Sequence, residues 1–277
     1  MTMDDVQPGA ANAAVRATYG EQDLSSAPAF AGGFINFGYW QGIPLDAPVG
    51  AEDRVRSQQG LYRRVVGEFG DVRGKTALEV GSGLGLGAAL VLAEGGFGSV
   101  TGMDVHPAQL ERARRANAAL LSDGSGRLRF AQGAAERMPF GDAAFDCVYS
   151  VEAAQHFPDL GAFAAEAARV LRPGGRVAVT SFFLPDGAGE RAVETLGGLL
   201  DSFASGLDEP HPVAALADGL GAAGLDGVRV TSIGEDVWAG LDHFLAGVEM
   251  PVTWPRNFLR AYREGLLDYY VVTAAKG

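Results

Sequence analysis

Three groups of residues in this chain have the types and spacing for chemistry. The first is Gly81-Ser82-Gly83-Leu84-Gly85, directly after the apolar run Thr76 to Val80. A glycine-rich turn between a strand and a helix lets a ligand approach the backbone closely, and the helix start beside it offers free N–H groups. A tight turn with no ligand would use the same residues. The second is Asp104, 23 residues after Gly81, at the end of the next apolar run. A carboxylate there can accept two hydroxyls from a ribose; it can equally cap the helix that Pro107 opens. The third is Ser150-Val151-Glu152-Ala153-Ala154-Gln155-His156-Phe157-Pro158-Asp159. Histidine titrates near neutrality and can take a proton from a bound group. The alternative is that His156 caps or packs before Phe157-Pro158. Glu152 is a second candidate base or an acceptor for backbone amides. His106, His211 and His243 have no such context and are expected at the surface or in caps.

These residues need elements to position them. Hydrophobic patterning predicts strands over Thr76 to Val80, Ser99 to Asp104, Leu128 to Gln132, Phe145 to Ser150, Arg176 to Ser181, Val228 to Ser232 and Tyr269 to Thr273. Helices are predicted from about Ala51 to Phe69, from the glycine turn to Ala93, from Pro107 to near Leu121, and through Leu160 to Leu171. Arg172-Pro173-Gly174-Gly175 then stops the chain. This alternation implies an α/β fold, a doubly wound sheet of seven strands. Two helical insertions, 184–212 and 236–264, interrupt the rhythm. Residues 1–14 read as a frayed terminus. The segment up to residue 50 carries Phe30, Phe34, Phe37, Tyr39 and Trp40, too aromatic for a disordered linker. The expected organisation is an N-terminal lid, 1–50, and one domain, 51–277.

Composition narrows the function classes. The chain has 277 residues, 47% of them hydrophobic, enough for a sizeable core. Its 34 acidic and 22 basic residues leave a net charge of −12. That argues against nucleic acid as a partner and against an anionic membrane surface. Cys147 is the one cysteine, so no intrachain disulfide and no cysteine-built metal site is expected. The opening MTMDDVQPGA lacks the apolar stretch of a secretory signal, and no apolar run has membrane-spanning length. A soluble cytoplasmic protein is expected.

A nicotinamide dinucleotide would want G-x-G-x-x-G/A, and Leu86 fails the third position. Instead, Glu79-Val80-Gly81-Ser82-Gly83-Leu84-Gly85, Gly102-Met103-Asp104-Val105, Gly133-Ala134-Ala135-Glu136-Arg137-Met138-Pro139-Phe140, Phe145-Asp146-Cys147-Val148-Tyr149-Ser150 and Val170-Leu171-Arg172-Pro173-Gly174-Gly175 stand in order and spacing. As a set they resemble the class I S-adenosylmethionine-dependent methyltransferases, firmly over 70–182 and more loosely over 213–277. The resemblance implies a Rossmann-like, mostly parallel sheet with the last strand antiparallel and the site where strand order reverses, between strands 1 and 4. It implies S-adenosylmethionine as cofactor, with Gly81 and Gly83 along its methionine and ribose parts and Asp104 on the ribose hydroxyls. Ala135 and Glu136 would border the adenine, Glu136 accepting from its amino group, and Ser150 would approach the methionine. Glu79, Ser82, Val105 and Gln109 complete the implied cofactor positions.

Glu152 to His156 resembles the Glu-x-x-x-His stretch of the small-molecule branch, which acts on natural products, sugars and sterols and in several members of which the histidine is the proposed base. Gly33 to Trp40 resembles that branch's N-terminal segment, implying that Tyr39 and Trp40 close over the cofactor; plain core is the alternative. No metal is expected, because Ser181-Phe182-Phe183-Leu184 offers no carboxylate after strand 5. That aromatic wall suggests an apolar or aromatic acceptor. The two insertions and the N-terminal segment are expected to cover the same sheet edge. The expected activity is metal-independent methyl transfer to a small natural-product-type acceptor, as in secondary metabolism or antibiotic biosynthesis, on O, N or C, with a homodimer left open. The alternative is an S-adenosylmethionine-binding enzyme of this fold that catalyses another reaction, such as a cyclisation.

Overall fold

A computed structural model describes residues 13–21, 27–249 and 252–277. Seven strands form one sheet: β1 (Thr76–Val80), β2 (Ser99–Asp104), β3 (Leu128–Gln132), β4 (Phe145–Val151), β5 (Leu171–Phe183), β6 (Leu225–Ser232) and β7 (Asp268–Lys276). Their order is β3-β2-β1-β4-β5-β7-β6, with β7 antiparallel to both neighbours and the other pairs parallel. The central strands β1 and β4 are almost wholly buried, as expected of strands with helices on both faces. The helices are α1 (Ala13–Arg16), α2 (Ala51–Val66), α3 (Leu86–Gly95), α4 (Pro107–Ala116), α5 (Ala118–Leu121), α6 (Leu160–Val170), α7 (Glu190–Leu199), α8 (Asp201–Ala204), α9 (Val213–Ala222), α10 (Trp238–Ala246) and α11 (Asn257–Arg263).

Leu61 and Val65 of α2 and Val91 of α3 fill the core on one face of the sheet. Phe163, Ala164 and Ala167 of α6 with Leu216 and Leu220 of α9 fill the other. The insertions supply α7, α8, α10 and α11 beside an aromatic cluster of Phe37, Phe182, Trp238, Phe258 and Tyr269.

Several boundaries differ from the sequence expectation. The helix predicted to Phe69 leaves α geometry after Val66 and ends in a 3₁₀ turn, Gly67–Phe69. Strand β5 starts at Leu171, which pairs with Phe145. The register then shifts around Arg172–Gly175 and resumes with Cys147 opposite Arg176. Strands β6 and β7 also run longer than predicted, because their polar and small ends pair with each other without an apolar signature. Of the predicted frayed terminus, 1–12 lie outside the described residues, as do 22–26 of the N-terminal segment. Ala13 and Ala14 are helical, and Val15 is buried.

Candidate active site

The chain reverses its strand order between β1 and β4, and a cavity opens at their carboxyl ends. Gly81 sits at φ +79°, and a Cβ there would stand 2.3 Å from the Cβ of Ala153. Only glycine fits that conformation and contact. Gly83, at φ +49°, differs: no atom lies within 4 Å of where its Cβ would be. Its free side faces the open space that its loop borders. Asp104 ties this loop to the end of β2. Its Oδ2 accepts the Gly83 N–H at 2.9 Å and its Oδ1 the His106 N–H at 2.9 Å. The helix cap is His106, not Asp104. Each carboxylate oxygen keeps lone pairs for a ligand. Burial raises the pKa of Asp104, and the two N–H donors work against that rise.

Orphaned polar atoms cluster in the same cavity. Ser82 Oγ, both ring nitrogens of His106 and Glu136 Oε1 are buried without a hydrogen-bond partner, and all three residues line it. A buried polar atom without a partner costs about 1–3 kcal/mol. These four atoms suit polar contacts with a ligand; the other five such atoms among the described residues, on Asn36, Gln58, Glu79, Ser202 and Trp238, lie outside the cavity. Burial also raises the pKa of Glu136.

At the far side His156 ends a short 3₁₀ turn, Ala154–His156. Its Nδ1 lies 2.8 Å from the Leu207 carbonyl, which can only accept, so Nδ1 carries the proton. Asp208 Oδ1 stands 3.3 Å from the same nitrogen. Nε2 is therefore the acceptor. It faces the Tyr19 hydroxyl at 3.0 Å and the Gln155 amide nitrogen at 3.2 Å. Ser181, at the end of β5, fixes that amide by bonding its oxygen at 2.5 Å. Burial raises the pKa of Asp208, and the facing imidazole lowers it. The arrangement leaves one basic nitrogen directed at the cavity, with a carboxylate behind the ring.

Gly81, Ser82, Gly83, Asp104, Val105, Gln109, Ala135, Glu136, Glu152 and His156 all line this one cavity. Tyr39, Trp40, Glu79 and Ser150 do not. Trp40 is 3% exposed, packs against Gly240 and Phe244, and donates its indole N–H to Phe37 O at 3.0 Å. It is core, and the backbone N–H of Tyr39 is bonded to Ser57 O. Gly33, Phe34 and Ile35 of the same segment line the cavity instead. Glu79 is fully buried beneath the glycine turn among Tyr62 and Tyr149, and burial pushes its carboxyl up to about 8. Ser150 Oγ binds Val80 O at 2.9 Å, clipping β4 to β1.

Glu152, at φ +46°, accepts the Phe37 N–H and the Tyr269 O–H. Its carboxylate thus works as an anchor for the N-terminal segment. The aromatic wall expected after β5 is also interior: Phe182 and Phe183 are 3% and 1% exposed and neither lines the cavity. The insertions do not line it either. The first supplies Leu207 and Asp208 to His156 from behind. His106, expected at the surface or in a cap, caps α4 and also lines the cavity. Sequence reading missed it along with Tyr19, Gln155 and Asp208. Among the described residues, no group of three His, Cys, Asp or Glu side chains could hold a metal ion, and no helix is long and apolar enough to cross a membrane.

Residues 78–179 match the family model described as "Methyltransferase domain". A phthiotriol/phenolphthiotriol dimycocerosates methyltransferase of Mycobacterium tuberculosis is 37% identical over 143 residues, 51% of this chain and 50% of that protein. The chain thus spans about half the length of the curated relatives it matches. Geranyl diphosphate C-methyltransferase from Streptomyces coelicolor A3(2) superposes with a TM-score of 0.71 at 20% identity, over 87% of this chain and 90% of that one. The [4+2]-cyclase SpnF superposes at 0.69 and 21% identity, over 93% and 94%. These two likenesses establish the fold.

Proposed function

We propose that the chain is an S-adenosylmethionine-dependent methyltransferase of small molecules with His156 as its base, a reading supported by the match of residues 78–179 to the methyltransferase domain model. The observation that carries this reading is the cluster of orphaned polar atoms on Ser82, His106 and Glu136, in one cavity with the open-sided Gly83 and the Asp104 carboxylate. These groups fit a nucleoside: Asp104 would hold ribose hydroxyls, and Glu136 would accept from the adenine amino group. S-adenosylmethionine supplies a methyl group already activated on a sulfonium. The chain's task is then to orient the acceptor, keep water out and take a proton. His156 Nε2 would take it once the acceptor replaces the groups that now face it, with Nδ1–H held by Leu207 and Asp208 placed to steady the imidazolium that forms.

A second reading, a cyclisation on the same fold, is favoured by the likeness to the [4+2]-cyclase. The two part in one experiment. The protein is incubated with methyl-labelled S-adenosylmethionine and a panel of small hydroxylated, amino and unsaturated compounds. Label in an organic product supports methyl transfer. Saturable cofactor binding with no label transferred to any member would sink it in favour of the second reading.

A further inference from the structure

The Tyr19 hydroxyl stands 3.0 Å from Nε2, the one His156 nitrogen that the proposed reaction needs. Tyr19 comes from the π-helical turn Ala17–Glu21, 137 residues away in sequence, and its ring meets the imidazole edge-on at 5.3 Å. Arg112 holds that turn in place through the carbonyls of Tyr19 and Gly20, at 2.9 and 3.1 Å. In the neutral ring, with Nδ1–H on the Leu207 carbonyl, Nε2 carries the lone pair and can only accept, here from the Tyr19 hydroxyl and, at 3.2 Å, from the Gln155 amide. The hydroxyl therefore donates.

We propose that the Tyr19 hydroxyl is the placeholder of the acceptor's own hydroxyl: the site takes an uncharged O–H on an apolar or aromatic body, which displaces Tyr19 from Nε2. The inference rests on His156 as the base and names the acceptor class for it. A carboxylate, ether or ketone offers no proton and cannot replace the phenol on Nε2.

Charge points the same way. The titratable groups facing His156 and this end of the cavity are Tyr19 from the N-terminal turn, Asp208 from the first insertion, Asp104 after β2 and Glu152 after β4. No lysine or arginine lines the cavity among the described residues, and residues 1–12, 22–26 and 250–251 contain none. Arg54 lies behind Glu152, bonded to the Ala29 and Asn36 carbonyls. An anionic acceptor would find no facing cation there. A protonated amine can donate but has no free lone pair, and must first lose its proton to the weaker base, imidazole. A neutral hydroxyl oxygen already has its lone pair. As it forms the O–CH₃ bond, its proton passes to Nε2, and the C–S electron pair stays on sulfur as a neutral thioether. Val15, one turn before Tyr19, with Phe34, Ile35 and Phe157, supplies apolar wall for the body of such a molecule.

The test replaces the placeholder. Tyr19→Ala vacates the phenol's position, and phenol, benzoate and toluene are titrated into it by calorimetry while the His156 ¹⁵N resonances are followed. Phenol is expected to bind about tenfold more tightly than benzoate, and several-fold more tightly than toluene, and to move the Nε2 resonance. Its affinity should fall about tenfold in Tyr19→Ala/His156→Ala. Benzoate binding as tightly as phenol, or phenol binding indifferent to His156, would overturn the proposal. If Tyr19→Ala fails to fold by circular dichroism, Tyr19→Phe keeps the ring and removes the donor. The Nε2 resonance should then shift from its wild-type value, and no shift would overturn the placeholder pair. S-adenosylmethionine is titrated into the wild type in parallel. Failure of that binding refutes the methyltransferase reading and leaves the phenol result to stand or fall separately.

Discussion

Glu79→Gln tests whether the acidic residue of the glycine-turn motif serves the fold or the ligand. Glu79 is fully buried, outside the cavity, with Tyr149 Oη 3.4 Å from its Oε2 and Tyr62 adjacent. Burial pushes its carboxyl from 4.5 to about 8. The folded protein therefore keeps the proton up to about pH 8, whereas the unfolded chain releases it near 4.5. Between those values the folded state binds more protons, so stability is greatest below about pH 4.5 and is lost as pH rises towards 8. At about 1.36 kcal/mol per pH unit, the loss is on the order of 5 kcal/mol. Glu152, raised to about 8 mainly by burial, adds a parallel loss that solvent in the cavity weakens. Glutamine preserves the shape and can accept a phenol proton but cannot titrate. Urea unfolding at intervals from pH 5 to 8.5 should show the wild type losing stability steadily, and Glu79→Gln losing clearly less. S-adenosylmethionine affinity should stay within about twofold, since this side chain does not reach the cavity. The same pH slope in both proteins would refute the buried-acid account. A large loss of cofactor affinity at unchanged stability would return Glu79 to the ligand.

Gly83→Val should abolish S-adenosylmethionine binding in calorimetry while secondary structure by circular dichroism is retained, because its side chain would enter space that is now open; its φ of +49° adds strain that should lower the melting temperature modestly. His156→Ala should lower kcat by roughly 10²–10⁴-fold, the range for a positioned base, with cofactor affinity nearly unchanged. A fall in melting temperature with kcat preserved would make His156 a packing residue. Glu152→Ala should unfasten the N-terminal segment and speed amide exchange at Phe37, whose N–H it accepts; unchanged exchange there would count against the anchor.

The sheet was legible where apolar residues cluster between turn signals, in the buried β1 and equally in the half-exposed edge strand β3. Thr76–Val80, Ser99–Asp104 and Leu128–Gln132 have the predicted bounds. The ends of β5, β6 and β7 were not legible: β5 begins with one pair at Leu171 before an irregular stretch through Pro173 and Gly174, and β6 and β7 pair through Asp226 and Lys276, residues that locally read as turn or loop. The site divides the same way. Local motifs led to the glycine turn, Asp104, Glu136 and His156, since strand ends deliver these residues to one edge. The same motifs also swept in Glu79 and Ser150, whose side chains turn into the sheet. Aromatic composition could not separate the core residue Trp40 from Phe34, which lines the cavity. Tyr19 and Asp208 carry no local signal at all. Their partnership with His156 is made by tertiary packing, across 137 and 52 positions.

The central claim is that this cavity holds S-adenosylmethionine with Asp104 on its ribose. Calorimetric titration of S-adenosylmethionine into wild type and Asp104→Ala, with NAD as the competing ligand, tests it most directly. The account predicts one saturable site in the wild type, no comparable binding of NAD, and affinity lower by roughly 1–3 kcal/mol in Asp104→Ala, the scale for losing a hydrogen-bonding carboxylate. Absence of S-adenosylmethionine binding, preference for NAD, or equal affinity in the two proteins would contradict it.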